Sequence, residues 1–338
     1  MKKFAYLFPG QGAQYSGMAV DLISSASVKS LFETASDIFG KDVKKLLESD
    51  VNTLKRTDVS QPAITAANLA AAAYLGEKGF TPFACAGFSL GEYAALVCAG
   101  IISTVDCLRL VKARGEIMQK AADSICTANA VCTAKAVCAA NAACTDVSHN
   151  NSAKIAPPGM AAVSGLDPLR AEELIAEWKA QGLEDLFAAN INSPKQLVIS
   201  GSNAALAEAE TRFKEAGAKR VTRLQVAGPF HSPLMNEAQN EFLSVLQTVS
   251  FSNPVIPVFS NVTGKIISSG AQAKDLMAMH ITSPVRWVDE EASIAQSGIE
   301  ACLETGPGKV LQNLWKDSGS EIPVFAAGTA EDIEKLRR

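Results

Sequence analysis

Histidine is scarce in this chain. There are three among 338 residues, at positions 149, 231 and 280, so any chemistry that needs an imidazole has few places to find one. Charge of one sign is also lacking in excess. Thirty-one Lys and Arg against 35 Asp and Glu leave a net charge of −4, without the basic footprint of a nucleic-acid binder. No apolar run approaches the roughly 20 residues needed to span a membrane. The apolar run after Lys2-Lys3 is too short for a signal sequence, and Pro9-Gly10 ends it, which predicts a cytoplasmic protein. The glycines of Phe8-Pro9-Gly10-Gln11-Gly12 form neither a dinucleotide fingerprint nor a P-loop with its Lys-Ser/Thr, so no nucleotide cofactor is expected.

Cysteine is not scarce, but its spacing excludes a metal site. Four of the eight, Cys126, Cys132, Cys138 and Cys144, recur every six residues in an Ala-rich repeat. On a helix, steps of six turn by about 240° and scatter the thiols over three faces. On a strand, neighbours stand about 20 Å apart. Neither geometry collects four thiolates around zinc. Cys85, Cys98, Cys107 and Cys302 sit singly among apolar neighbours and read as small core residues of a reducing compartment. With 48% hydrophobic and 20% charged residues, the chain has the composition of a globular protein with ample core.

The most informative stretch is Ala86-Gly87-Phe88-Ser89-Leu90-Gly91-Glu92. Its Gly-x-Ser-x-Gly spacing is that of a nucleophile elbow, a sharp turn from strand to helix with the serine at its tip. Phe83–Ala86 reads as the buried strand, and the Ala-rich run from Glu92 to Ala99 reads as the helix. Gly87 and Gly91 would remove side chains where the chain folds tightly on itself. Ser89 would then face the free amides of a helix N-terminus.

A serine nucleophile needs a base. His149 lies in the low-complexity segment, which leaves His231 and His280. The Pro-flanked loop Gly228-Pro229-Phe230-His231-Ser232-Pro233 favours His231 as the rigidly placed one. Arg114, on a predicted helix over 104–122, reads by itself as an arginine snorkelling from a half-buried surface. Earlier in the chain, a helix over Ser30–Phe39 is expected to stop at Gly40, and Gln61-Pro62 is expected to open a buried helix running to about Gly76.

Beyond Pro157-Pro158-Gly159, the order β-α-β-β-α-β over about 160–225 predicts a split ferredoxin-like subdomain, with Asp167 capping its first helix. Strands and helices then resume. The expected organisation is a large α/β domain from 1–122 and 226–338, a low-complexity insert at 123–157, and a small domain at 158–225.

Together these pieces resemble the malonyl-CoA:acyl carrier protein transacylase family. The matching stretches are Phe8–Gly12, Gly87–Glu92, Arg114-Gly115 with Met118-Gln119, Asn190–Pro194, Gly228–Ser232, Ser283–Trp287 and Glu304–Lys309. They stand in the family's order and span nearly the whole chain except about 123–157. The resemblance implies an α/β-hydrolase-like large domain with an inserted ferredoxin-like small domain and a cleft between them. It implies that malonyl passes from malonyl-CoA to Ser89 and on to the phosphopantetheine thiol of an acyl carrier protein in fatty acid synthesis. His231 would be the base, with the Leu90 and Gln11 amides forming the oxyanion hole. Arg114 would hold the malonyl carboxylate, with Phe230, Asn190, Asn192 and His280 around the substrate. A backbone carbonyl, by position that of His280, would orient His231 in place of a triad Asp. A monomer without metal or cofactor is expected, and the cations Arg212, Lys214, Lys219, Arg220 and Arg223, around the last helix and strand of the small domain, would meet an acidic carrier. This sequence departs from the family at Phe88, where histidine is common, and at His280, where glutamine often stands. A serine hydrolase such as a thioesterase shares Ser89 and His231 and is the competing reading.

Overall fold

The computed structural model describes residues 2–140 and 158–337, and over 126–140 the backbone course alone. Among the described residues, eight strands follow in chain order: β1 (Phe4–Phe8), β2 (Pro82–Gly87), β3 (Gly159–Ser164), β4 (Leu186–Ser193), β5 (Gln196–Gly201), β6 (Arg220–Arg223), β7 (Ala301–Glu304) and β8 (Val324–Ala326). They form two four-stranded sheets. One is parallel, in the order β2-β1-β7-β8. The other is antiparallel, in the order β4-β5-β3-β6. The fold is therefore α/β with a second, antiparallel sheet.

The parallel sheet is buried on both faces, as its uninterrupted apolar strands require. Tyr6, Phe8 and Cys85 point into the largest core with the Ala-rich helix Thr57–Glu77. Ala5, Leu7, Ala84 and Ala86 point the other way, against Phe259, Val285 and Trp287. The helix starts at Thr57, four residues before the Gln61 expected to open it. The reason is tertiary: the Gln119 side chain accepts from the Thr57 amide at 2.9 Å and caps it from a distant helix, leaving Pro62 inside. The helix Ala26–Phe39 does end at Gly40, whose φ of 66° suits glycine.

In the antiparallel sheet, the helices Pro168–Ala180 and Asn203–Glu215 cover one face, where Ala161, Val163, Leu197 and Ile199 meet Trp178 and Phe213. Asp167 caps the first of these helices by accepting from the Arg170 amide. The other face, with Met160, Ala189 and Val198, packs into the largest core, so the two sheets share a seam. A chain segment at Val285 tightens it by exchanging backbone hydrogen bonds with Ile191 and Ala189 of β4.

The helix expected to stop at 122 runs on, from Thr104 to Ala140. Alanine is the best helix former, and nothing in the repeat breaks the pattern. Cys126, Cys132 and Cys138 thus fall on helical backbone, while Cys144 and the polar run to Ser152 lie outside the described residues. Of the other cysteines, Cys85, Cys107 and Cys302 are buried thiols and Cys98 is half-buried. No described helix is long and apolar enough to cross a membrane.

Candidate active site

The site forms where the parallel strands end. β1 delivers the turn at Gln11, and β2 delivers Gly87 and the turn at Ser89. The segment 257–259, bridged in parallel to the outer edge of β2, delivers Asn261 to the same end. Parallel strands bring their carboxyl ends to one edge, which is where open α/β sheets place their ligand sites.

Ser89 stands at φ 47°, a left-handed conformation unusual for a residue with a side chain. The crowding around it shows why glycines flank it. A Cβ on Gly87 would strike the Gly91 carbonyl and the Glu92 amide, and one on Gly91 would strike the Phe8 carbonyl. The helix Gly91–Cys98 begins directly after the turn. The Leu90 and Gln11 amides make no hydrogen bond to another group among the described residues, and both residues line the cavity beside Ser89.

His231 comes from the loop after β6. Its φ of 56° is also positive, and the turn is held by the Ser232 hydroxyl donating to the Pro229 carbonyl and the His231 amide donating to Ile281. Its Nε2 lies 2.8 Å from Ser89 Oγ, and its Nδ1 lies 3.0 Å from the Ser283 carbonyl. A carbonyl can only accept, so Nδ1 carries the proton and bare Nε2 accepts from the serine hydroxyl. Burial, then His280 and Arg114, push the imidazole pKa down to about 3 against the pull of the Ser283 carbonyl, so the ring rests neutral with Nε2 unprotonated.

Here the sequence expectation needs correction. The carbonyl that orients His231 is chiefly that of Ser283, with the His280 carbonyl a weaker contributor in the same direction. Ser283 ends the turn that closes on Met279, which swings its carbonyl toward His231. His280 itself is buried and does not line the cavity. Its Nδ1 lies 3.4 Å from Arg114 Nη2 and its Nε2 lies 3.2 Å from the Glu92 carboxylate. Burial and the neighbouring guanidinium hold its ring neutral, well below its usual pKa.

Arg114 is 1% exposed, not a surface arginine, and its guanidinium sits over the Tyr93 ring at 5.6 Å. Its Nε has no partner among the described residues. Glu92, fully buried behind it, is pushed up to about 8 by loss of solvent, opposed by the Asn261 amide and Arg114. Glu92 and Asn261 stood in the sequence without a role. The signal for Asn261 was its position, a polar residue closing the apolar run that begins at Val255.

A cavity of about 250 Å³ joins these groups. Ser89, His231, Arg114, Gln11, Leu90 and Phe230 line it from the parallel-sheet side, and Asn190 and Asn192 line it from β4. Asn192 donates to Gln196 at 2.8 Å while its carbonyl oxygen has no partner among the described residues. Phe88 also lines it, its ring packed edge-on against Trp287 at 5.5 Å.

A serine paired with a neutral imidazole, beside open amides and a buried cation, is the equipment of an acyl-transfer enzyme. The acyl transferase domain family matches residues 5–182 and 136–337, and the chain belongs to that family; it is an acyltransferase. It is 36% identical over 321 residues to the malonyl CoA-acyl carrier protein transacylase of Haemophilus influenzae, covering 94% of this chain and 92% of that one. The crystal structure of an acyl carrier protein S-malonyltransferase from Vibrio cholerae superposes with a TM-score of 0.82 at 34% identity, covering 99% of both chains. A malonyl-transacylase in complex with its type II polyketide acyl carrier protein superposes with a TM-score of 0.83 at 34% identity, covering 98% of each chain.

Proposed function

We infer that this chain transfers malonyl from malonyl-CoA, through a Ser89 acyl-enzyme, to the phosphopantetheine thiol of an acyl carrier protein in fatty acid synthesis. The observation that carries the reading is the 2.8 Å contact between Ser89 Oγ and His231 Nε2 in the cavity lined by buried Arg114. His231 takes the serine proton as Oγ attacks the thioester carbonyl, and the Leu90 and Gln11 amides receive the developing oxyanion. His231 then returns the proton to the departing coenzyme A thiol. The carrier thiol reverses the sequence and leaves with the malonyl group. Arg114 holds the malonyl carboxylate with its permanently charged fork. Asn190 and Asn192 contact the substrate from the opposite wall, and Phe230 limits the size of the acyl group.

The large unit, 1–122 with 226–338, is α/β-hydrolase-like in this reading. The unit 158–225 is ferredoxin-like, supported by its strand order, and the stretch 123–157 is an insert. The protein works as a cytoplasmic monomer without metal or cofactor. For the carrier, Arg212 and Lys214 are tied to Glu208 and Glu210, so exposed Lys219 and Arg220 are the better docking cations. Incubation with malonyl-CoA should add one malonyl mass to the intact protein and none to Ser89→Ala, and His231→Ala should slow the addition by about 10²–10⁴. Malonylation persisting in Ser89→Ala would refute the assignment.

A further inference from the structure

An elbow turned as sharply as this one strips its residues of ordinary strand and helix partners. Phe88 still donates to Phe8 of β1 at 2.9 Å, and Glu92 already donates back to the Ser89 carbonyl at 3.0 Å. Between them, the Gly87 carbonyl and the Ser89 amide fall outside both patterns, and a buried unpaired backbone group is costly. One side chain takes both. Asn261 Oδ1 accepts from the Ser89 amide at 2.5 Å, and Asn261 Nδ2 donates to the Gly87 carbonyl at 2.6 Å.

Asn261 is itself held on every polar group. Its second Nδ2 hydrogen goes to Glu290 Oε1 at 2.9 Å, its amide to Glu92 Oε2 at 3.0 Å, and its carbonyl accepts from the Arg286 amide at 2.8 Å. It is 1% exposed. One acceptor and two donors on a short, flat side chain match this set of partners, and only a carboxamide offers them. The Ser89 amide is thereby occupied, which leaves the oxyanion to Leu90 and Gln11.

We propose that Asn261 is the positioning residue of the nucleophile. It clamps the backbone on either side of Phe88, holds Ser89 at its left-handed φ, and so fixes Oγ against His231. It touches neither substrate nor the reacting atoms. Its effect is on the chemical step, because a serine displaced by an ångström loses its line of attack, with costs on the order of 10² in rate. The proposal rests on Ser89 being the nucleophile.

The test measures the single-turnover rate of Ser89 malonylation in wild type, Asn261→Ala and Asn261→Asp. Asn261→Ala should lose about 10² in the maximal rate, with little change in the malonyl-CoA concentration at half-saturation. Asn261→Asp carries the sharper signature. When ionised, its carboxylate can accept from Ser89 but cannot donate to Gly87, and it lies against Glu92 and Glu290. When protonated, it restores one donor and one acceptor. The ratio of its rate to that of wild type should therefore rise at least about tenfold as pH falls from about 9 to 5.5. Taking the ratio cancels the titration of Glu92, Glu290, His231 and His280 as it occurs in wild type. A flat ratio, or an Asn261→Ala enzyme within about threefold of wild type, would overturn the inference. A wild-type chain that accepts no malonyl group would overturn the acyl-transfer reading with it. An acylated wild type beside an equally fast Asn261→Ala overturns this inference alone.

Discussion

Replacing Arg114 with alanine separates recognition of the malonyl group from chemistry on it. The guanidinium is almost wholly enclosed, stacked over Tyr93 and touching His280, so water cannot screen its attraction for a carboxylate. In the proposed reaction, a malonyl carboxylate entering this cavity loses its hydration and gains that fork. Removing the arginine strands a desolvated charge, at a cost of about 3–5 kcal/mol. At about 1.4 kcal/mol per decade, kcat/KM for malonyl-CoA should fall by about 10²–10⁴. Acetyl-CoA has no carboxylate to strand, so its kcat/KM should hold or rise. Arg114→Lys should recover part of the malonyl activity, since it keeps the charge but not the paired hydrogen bonds. The assay is kcat/KM for both thioesters in the three proteins, with Ser89 acylation read by mass. An equal loss for both substrates would refute the reasoning and reduce Arg114 to a structural partner of Glu92 and His280.

Glu92 supplies a pH dependence with a definite sign. Its carboxyl is neutral below its pKa of about 8 and ionises above it, placing a counter-charge beside Arg114. KM for malonyl-CoA should therefore climb as pH passes through 8 in wild type and stay level in Glu92→Gln; identical profiles would contradict this. Replacing 126–146 with a Gly/Ser linker should leave the malonylation rate within a few-fold, since the repeat carries none of the matched motifs. Stoichiometric zinc in the purified protein, lost with the repeat, would overturn that expectation.

Local pattern alone specified a good deal of this molecule. The sharp turn at Ser89 was legible because its geometry demands glycine on both sides of the serine, and the packing at Gly87 and Gly91 is that demand in atoms. The helix stop at Gly40 and the cap at Asp167 were legible because a left-handed residue and a side-chain acceptor act within a few positions. The order of strands and helices over 160–225 followed from periodicity in the same way. What stayed hidden depends on groups distant in the chain. Gln119 decides where the helix at Thr57 begins from 62 residues away. Ser283 reaches His231 across 52 residues, and Asn261 reaches Ser89 across 172. No spacing rule connects such positions, because parallel strands and crossing loops choose their neighbours only when the chain closes. Arg114 shows the division most plainly. Its neighbours in sequence describe a surface arginine, and it is the folded cluster of Glu92, Tyr93 and His280 that buries its charge and aims it at the serine's cavity.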